Sequence, residues 1–177
     1  ERHDGCAVTC DDFRAAMGDA NERDLLQFER WYQQAGTPVL EVEDSYDAEQ
    51  QRRTFTFKQS TPPTPGQDEK LPLHIPVVFA LIGPDGADLP LRLVGEETAQ
   101  GTTRTIELFE ETLSITFEDV PEGCVPSYLR GFSAPVELRC KRTHDEYAFA
   151  MRHDSDSFNR WEAGQQFAME LLVGMVE

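Results

Sequence analysis

The sequence predicts a mainly β fold, an antiparallel sandwich or barrel, with a helical segment at each end. Three observations lead to this prediction. Apolar residues recur with the helical period of about 3.6 up to residue 36. They alternate with period 2 from residue 37 to about 141 and return to helical spacing from residue 143. Short strands separated by turn residues are typical of a sandwich.

Length and composition limit the class of protein. The 177 residues suffice for one sizeable core. The 39% of apolar residues, with 11 phenylalanines, argue against disorder despite a formal net charge of -17. Nucleic acid is not an expected partner, because 16 basic residues are scattered among 33 acidic ones and phosphate binding needs clustered Lys and Arg. No membrane span is expected, since no apolar run approaches the required ~20 residues.

Residues 1 to about 36 are predicted to be helical. Thr9 followed by Asp12 resembles a capping box, with Asp in place of Glu or Gln, at the start of a first helix. A second helix is predicted to begin near Asp24 and to end at Gly36, and Pro38 prevents its continuation. This second helix places four apolar side chains on one stripe: Leu25, Phe28, Trp31 and Tyr32.

Alternating apolar residues predict the strands of residues 37 to 141. Gly and Pro mark the turns between them, as at residues 83 to 86 and 121 to 123. The positions that share a face are Leu40 and Val42; Phe55 and Phe57; Ile75, Val77, Phe79 and Leu81; Leu89, Leu91 and Leu93; Ile106 and Leu108; Leu113, Ile115 and Phe117; and Val136, Leu138 and Cys140. The proline-rich stretch 62 to 66 is predicted to be a stiff surface loop, with recruitment of a proline-binding partner as the less favoured alternative.

From residue 143 the helical period returns. Asp154, Ser155 and Asp156 are predicted to break this helix and to cap another. The last helix carries a stripe that is expected to pack in the core, made of Phe158, Trp161, Gln165, Met169 and Leu172. Helices, then a sandwich, then helices again suggest a β module with the edges of two neighbouring domains attached. The apolar close of the chain and its start at Glu1 agree with a piece of a longer protein.

The four cysteines are predicted to be free thiols in a reducing, cytoplasmic compartment. Cys6 and Cys10 are four residues apart, whereas Cys124 and Cys140 are sixteen apart. A zinc site would show matched pairs or nearby histidines, so a metal site and a disulfide are the less favoured alternatives.

No catalytic, cofactor-binding or metal-binding residue is predicted in this chain. The histidines are His3, His74, His144 and His153, and none has a second His four residues away, so a His-Glu-x-x-His helix is missing. His144 and His153 are expected at the surface. Ser155 and Asp154 beside His153 are sequence neighbours, which does not make a catalytic relay. The carboxylate pairs Glu96-Glu97 and Glu110-Glu111 are expected to be solvated.

Six runs of residues resemble the bacterial aminopeptidase N family, in one order along almost the whole chain. They are residues 3 to 13 (HDGCAVTCDDF), 28 to 38 (FERWYQQAGTP), 59 to 67 (QSTPPTPGQ), 70 to 76 (KLPLHIP), 132 to 136 (FSAPV) and 151 to 163 (MRHDSDSFNRWEA). The resemblance is weakest over residues 84 to 125, where only the strand pattern agrees.

The resemblance implies an Ig-like antiparallel β-sandwich between two other domains of a zinc aminopeptidase. Residues 1–36 would be the last helices of the catalytic domain, residues 37–142 the linking sandwich, and residues 143–177 the first helices of a C-terminal helical domain. The family removes N-terminal residues such as Ala, Arg and Lys from peptides and uses one zinc. The motifs that bind zinc and substrate find no match here, so the fragment is expected to bind no metal and to be inactive.

Two other functions remain open. The first alternative is a stand-alone β-sandwich module that engages a partner through a sheet or loop. The second, less favoured, is an uncharacterised hydrolase that uses acidic residues. On the leading interpretation the partners are the flanking domains of the same chain and, for the parent enzyme, its peptide substrates.

Overall fold

The predicted strands form two sheets that pack face to face. A computed structural model of the chain describes residues 2–176. Within that range the larger sheet has the strand order β4-β6-β2-β1-β8. Its strands are β1 (Val39–Asp47), β2 (Arg52–Ser60), β4 (Arg92–Leu93), β6 (Thr112–Glu118) and β8 (Glu137–Cys140). The smaller sheet has the order β5-β3-β7, with β3 (Ile75–Ile82), β5 (Arg104–Leu108) and β7 (Val125–Ser127).

The strand register puts the predicted apolar faces between the sheets. In the antiparallel β1–β2 pair Val42 lies opposite Phe57, and in the β2–β6 pair Phe55 lies opposite Ile115. The pairs within the smaller sheet are also antiparallel. One pair departs from this rule, since β8 runs parallel to β1, with Val39 opposite Glu137. The long path from β1 to β8 permits this, because parallel strands need a crossover rather than a hairpin.

Aromatic residues fill the core between the sheets. Phe55, Phe57, Phe79 and Phe117 are fully buried. The rings of Phe55 and Phe79 meet edge to face at 4.9 Å, and those of Phe79 and Phe117 stack at 5.3 Å. Tyr128 closes the cluster at 5.6 Å from Phe79. Burial of each such side chain stabilises the fold by about 1.5–3 kcal/mol, and edge-to-face pairs add to this.

The first predicted helix is present, whereas the second is much shorter than predicted. Helix α1 (Cys10–Asn21) begins with the capping box, because the Thr9 hydroxyl accepts from the Asp12 N–H at 3.2 Å and the Asp12 carboxylate accepts from the Thr9 N–H at 2.9 Å. The second helix does not begin near Asp24. Asp24 instead accepts a hydrogen bond from the Leu26 N–H at 2.8 Å, a local turn that competes with helix formation. A 3₁₀ turn (Gln27–Glu29) and the four-residue helix α2 (Arg30–Gln33) follow.

Two strands differ from the prediction. The alternation of Leu89, Leu91 and Leu93 yields only the two residues of β4. Pro90 interrupts the run, and the Leu91 backbone instead exchanges hydrogen bonds with the loop residues Gly101 and Gln100. Strand β7 was not predicted, because its three residues are too few to show alternation.

Two helices follow the sandwich at the predicted places. Helix α3 (His144–His153) starts with a capping box between Thr143 and Glu146, and Asp156 caps helix α4 (Ser157–Gly174) by accepting from the Asn159 N–H at 2.9 Å. The break at residues 154 to 156 is therefore confirmed.

The prediction that the stripe of α4 packs in the core is wrong. Phe158, Trp161, Met169 and Leu172 are exposed. Helix α4 instead packs on α3 through Ala163, which lies in a small buried cluster with Val125, Tyr147 and Ala150. Small residues let the two helices approach closely, and the larger side chains of the stripe point away.

Candidate functional site

A buried arginine joins the sandwich to the C-terminal helices. The guanidinium of Arg130 donates from Nη1 and Nη2 to the two oxygens of Asp88 at 2.7 and 2.8 Å. Its Nη2 also donates to Oδ1 of Asp154 at 3.0 Å. The side chains of Arg130 and Asp154 are only 7% and 1% exposed. Asp88 belongs to the sandwich and Asp154 to the break between α3 and α4, so the guanidinium of Arg130 is hydrogen-bonded to both regions. We call these three residues the arginine node.

Local backbone geometry carries Arg130 into this position. It opens the 3₁₀ turn Arg130–Phe132. The preceding Leu129 has a φ of 54°, and Gly131 and Phe132 within the turn have φ values of 64° and 55°. Left-handed residues reverse the chain tightly. The turn is tied to α4, since the Gly131 N–H donates to Oδ2 of the cap residue Asp156 at 2.9 Å.

Polar side chains surround the arginine node and saturate it. Nε of Arg130 donates to the Ser127 hydroxyl at 2.8 Å. Asn159 on α4 donates from Nδ2 to the same hydroxyl at 2.9 Å and to the Tyr128 carbonyl at 2.8 Å. Ser155 donates to Asp88 at 2.7 Å. The side-chain donors of Arg130 thus all have partners, and the bonds to Asp154, from Ser155 and from Asn159 cross between the sandwich and the helical region. Such satisfaction is the condition for a buried polar network to specify one geometry.

Arg130 and Asp88 shift each other's pKa toward the charged forms. The hydrogen bond from Arg130 lowers the pKa of Asp88 below its ordinary value of 3.8, against the effect of burial. Burial alone would lower the pKa of Arg130, but the hydrogen bond to Asp88 and the charges of Asp154, Asp88 and Asp156 raise it overall. Arg130 and Asp88 therefore remain an ion pair at neutral pH.

The linker between β8 and α3 is also anchored. Arg142 donates from Nη2 to the Pro126 carbonyl, and its guanidinium lies 5.7 Å from the ring centroid of Tyr128 and 6.0 Å from that of Tyr147. Tyr128 is a core residue and Tyr147 lies on α3, so the cation bridges the two regions. Burial, together with the hydrogen bond to Glu170, raises the pKa of Tyr147 to about 12.

At the other end, side chains of the N-terminal segment bind backbone groups of the sandwich. The Trp31 indole donates to the His74 carbonyl at 2.9 Å, and Gln27 donates to the carbonyls of Pro72 and Phe109 at 3.2 and 2.6 Å. Gln34 pairs with Leu71 through two hydrogen bonds of 2.9 and 2.6 Å. This joint is less buried than the C-terminal one.

The proline-rich loop, which here comprises residues 62 to 70, contacts the linker that enters the sandwich. Gln67 accepts from the Ala35 N–H at 2.9 Å and donates to the Gln33 carbonyl at 2.8 Å. Lys70 donates to the carbonyl of Ala35 and to the hydroxyl of Thr64, both at 2.8 Å. The loop therefore serves as an intramolecular clasp, which agrees with the predicted surface connection.

The histidines and cysteines do not assemble into a reactive site in the described part of the chain. His74 is buried, contacts Glu107 through Nε2 at 3.1 Å and stacks on Phe109 at 4.2 Å. The four cysteines are free thiols. Burial raises the pKa of Cys124 to about 11, so this thiol stays protonated.

A metal does not fit the residues present. Between residues 2 and 176, no three side chains of His, Cys, Asp or Glu converge so as to hold an ion. Across the same residues, every helix is too short or too polar to cross a membrane.

The other acidic and hydroxyl candidates have structural partners. Asp154 and Ser155 are committed to the arginine node, and the ring of the neighbouring His153 packs against Phe149 at 4.5 Å. Glu96 forms an ion pair with Arg104 at 2.6 Å. Arg130 and Asp88 were not predicted as site residues, because Arg is rarely buried. Arg130 also lies 42 residues from Asp88 and 24 residues from Asp154 in the sequence.

Two protein families match adjoining parts of the chain. Residues 36–141 match the family described as "Domain of unknown function (DUF3458) Ig-like fold". Residues 144–177 match the family described as "Domain of unknown function (DUF3458_C) ARM repeats". The first match confirms the predicted Ig-like sandwich with helical segments on either side.

Three curated relatives confirm the resemblance noted in the sequence, and each bears the name Aminopeptidase N. The protein of Escherichia coli is 42% identical over 165 residues, which cover 93% of this chain and 18% of the relative. Those of Haemophilus influenzae and Caulobacter vibrioides are 38% and 42% identical over 98% of this chain, which is 20% and 19% of their lengths. This chain therefore spans about one fifth of these proteins.

A solved structure supports the same relationship. The crystal structure of Legionella pneumophila aminopeptidase A in complex with aspartic acid superposes on 98% of this chain with a TM-score of 0.79 and 26% identity, and the match covers 18% of that protein.

Proposed function

We propose that the sandwich of this chain is a rigid connector between the helical regions on either side. The premise is that the chain belongs to the DUF3458 family of Ig-like domains and is homologous to a segment of bacterial aminopeptidase N. In the parent enzyme the sandwich would hold the end of the catalytic domain (residues 1–36) and the start of the C-terminal helical domain (residues 143–177) at fixed spacing. The sandwich itself would comprise residues 37–142.

The arginine node is the observation that carries this proposal. A buried ion pair contributes little net stability compared with apolar packing, but it specifies geometry when every partner is satisfied. Here Arg130 and Asp88 come from the sandwich, and Asp154 comes from the helical region. The proline-rich clasp at Gln67 and Lys70 supports the same role at the other joint.

The activity of the parent protein is the second part of the proposal. We infer that the parent is a zinc-dependent aminopeptidase of the cytoplasm that removes Ala, Arg, Lys and other N-terminal residues from peptides. The name shared by the relatives supports the aminopeptidase assignment. The described residues 2–176 do not fit a zinc site, so residues elsewhere in the parent would hold the metal, and this chain alone would be inactive.

Activity assays test both parts. The pure 177-residue chain should not hydrolyse an alanyl anilide when zinc is added, and zinc-dependent hydrolysis by it would show that a catalytic site is present. In the full-length protein, Arg130→Met should lower kcat/KM for the anilide by about tenfold or more, because small displacements of catalytic groups are costly.

The matched control is Arg139→Met, which removes an equally charged side chain that is 55% exposed and pairs with Glu137. This variant should keep wild-type kcat/KM, since exposed ion pairs contribute little. Both variants are compared at a temperature at which circular dichroism shows them folded. Equal activity of Arg130→Met and wild type would mean that the connector does not set the geometry of the active site.

A further inference from the structure

A steric contact crosses the C-terminal joint beside the arginine node. Gly86 lies in the turn that follows β3, two residues before Asp88. His153 ends α3, one residue before Asp154. A methyl group on the α-carbon of Gly86 would lie 2.8 Å from both Cγ and Cε1 of the His153 imidazole, whereas side-chain carbons hardly ever come within 3.0 Å of another heavy atom. The imidazole therefore rests against the bare backbone of the turn.

Hydrogen bonds fix the turn that carries Gly86. The Gly86 N–H donates to the Gly83 carbonyl, and the Gly83 N–H donates to the Ala87 carbonyl, both at 2.8 Å. Oδ1 of Asp85 accepts from the Ala87 N–H at 3.0 Å. The φ of Gly86 is 85°, a value that residues with a Cβ rarely adopt. The backbone conformation and the closeness of the imidazole thus each require glycine at this position.

The His153 ring is held on its own helix. It packs against the ring of Phe149, one turn earlier in α3, with 4.5 Å between the ring centroids. The next residue, Asp154, donates its N–H to the Ala150 carbonyl at 3.0 Å, which closes the last turn of α3. Because the ring is packed and its backbone is bonded, a clash at Gly86 would displace the end of the helix and not only a mobile side chain.

We propose that His153 is a positioning residue of the connector, whose ring limits how closely the C-terminal helices approach the sandwich at Gly86. The hydrogen bonds of the arginine node draw the two regions together, and the contact of His153 with Gly86 opposes further approach at a second point. Attraction at one point and contact at another together fix an orientation. The inference rests on the proposed function, because this orientation affects activity only if the sandwich sets the geometry of the parent enzyme.

Amide hydrogen exchange in the full-length protein tests the contact. Gly86→Ala should speed exchange of the amides of α3 by about tenfold or more, because a displaced helix end opens more often. The matched control is Gly95→Ala, since Gly95 has a φ of 92° and would place nothing within 4 Å of an added methyl group. The control brings the strain of a positive φ without a clash, so exchange in α3 should stay as in wild type.

A second substitution tests whether the clash is with His153. His153→Ala removes the ring that the new methyl group would meet. In this background Gly86→Ala should therefore speed exchange of α3 by no more than about twofold, although it does so by about tenfold in the presence of the ring.

The activity of the same full-length variants tests the positioning role. We expect kcat/KM for the alanyl anilide to fall by about tenfold in Gly86→Ala and by about threefold in His153→Ala, because both displace α3. Gly95→Ala should keep wild-type kcat/KM. The double variant should be as active as His153→Ala, so a substitution that is harmful alone would rescue Gly86→Ala. A residue that only stabilises the fold does not give such a rescue.

Three outcomes would overturn the inference. Equal exchange of α3 in Gly86→Ala and Gly95→Ala would mean that the ring moves aside. Exchange in the double variant as fast as in Gly86→Ala would assign the clash to a group other than His153. Faster exchange in Gly86→Ala at unchanged kcat/KM would show that the contact does not position the active site. The activity of Arg130→Met tests the connector proposal separately, so the two failures are distinguishable.

Discussion

Removal of the Asp154 carboxylate should uncouple the C-terminal helices from the sandwich. Asp154 is 1% exposed and accepts from Arg130 and from the Asp156 N–H, both at 3.0 Å. Asp154→Ala removes the acceptor of one buried donor, on Arg130, and of one half-buried donor, the Asp156 N–H, at up to about 1–3 kcal/mol each. Arg130 keeps its paired bonds to Asp88, so the loss should be below the sum. We expect Asp154→Ala to lower the free energy of unfolding by about 3 kcal/mol.

The isosteric variant separates charge from hydrogen bonding. Asp154→Asn keeps Oδ1, which accepts both from Arg130 and from the Asp156 N–H, and removes only the charge, so it should cost about 1–2 kcal/mol. Asp68→Ala, at an exposed position of the proline-rich loop, is the control and should stay within about 0.5 kcal/mol of wild type.

Urea unfolding of the 177-residue chain, followed by circular dichroism, measures these differences. The loss in the free energy of unfolding should be largest for Asp154→Ala, smaller for Asp154→Asn and smallest for Asp68→Ala. This order, at an unchanged m-value, supports the reasoning. A loss in unfolding free energy below about 1 kcal/mol for Asp154→Ala would refute the reasoning. If the arginine node fixes the C-terminal helices to the sandwich, removal of a buried partner of Arg130 must destabilise the fold by more than that. A double-mutant cycle with Arg130→Met should show coupling between the two residues, and additive losses would also contradict the interpretation.

Two further predictions concern titration and thiol reactivity. The pKa of Asp88 is lowered in the fold, so the ionised Asp88 stabilises the fold above pH 3.8, and this stabilisation is lost as pH falls through the lowered pKa. In Asp88→Asn the free energy of unfolding should therefore depend less steeply on pH in this range. If wild type and variant keep the same slope below pH 3.8, Asp88 is not the group that titrates. A thiol reagent at pH 8 should label the exposed Cys6 and Cys10 quickly and the buried Cys124, with its pKa of about 11, only on unfolding. Rapid native labelling of Cys124 would contradict its burial.

Local features of the sequence were predicted well because neighbouring residues decide them. The capping box at Thr9 and Asp12 needs only two residues three apart, and the cap at Asp156 needs only a short polar side chain before a helix. The alternation of Phe55 and Phe57 identifies a strand face whichever strand it pairs with. The fold class followed from these local patterns, and the resemblance followed from the order of the matching runs.

The errors arose where a long-range or competing contact decides the structure. The helix expected from Asp24 does not begin there, because the Asp24 carboxylate accepts a hydrogen bond from the Leu26 N–H and forms a local turn instead. The apolar stripe of α4 looked like a core face by its period, yet the helix turns the small Ala163 inward. Period alone identifies a face of a helix, but it does not say which face meets a neighbour.

The sequence by itself determined the order of helices, strands and helices, the apolar faces of the strands and the family resemblance. These follow from spacings of two to four residues along the chain, over which side-chain direction is set by the backbone. Only the tertiary structure decided that Arg130 holds Asp88 and Asp154, that β8 runs parallel to β1 and that the proline-rich loop clasps the linker. A buried charge is stable only where distant partners converge on it, and spacing along the sequence does not record that convergence.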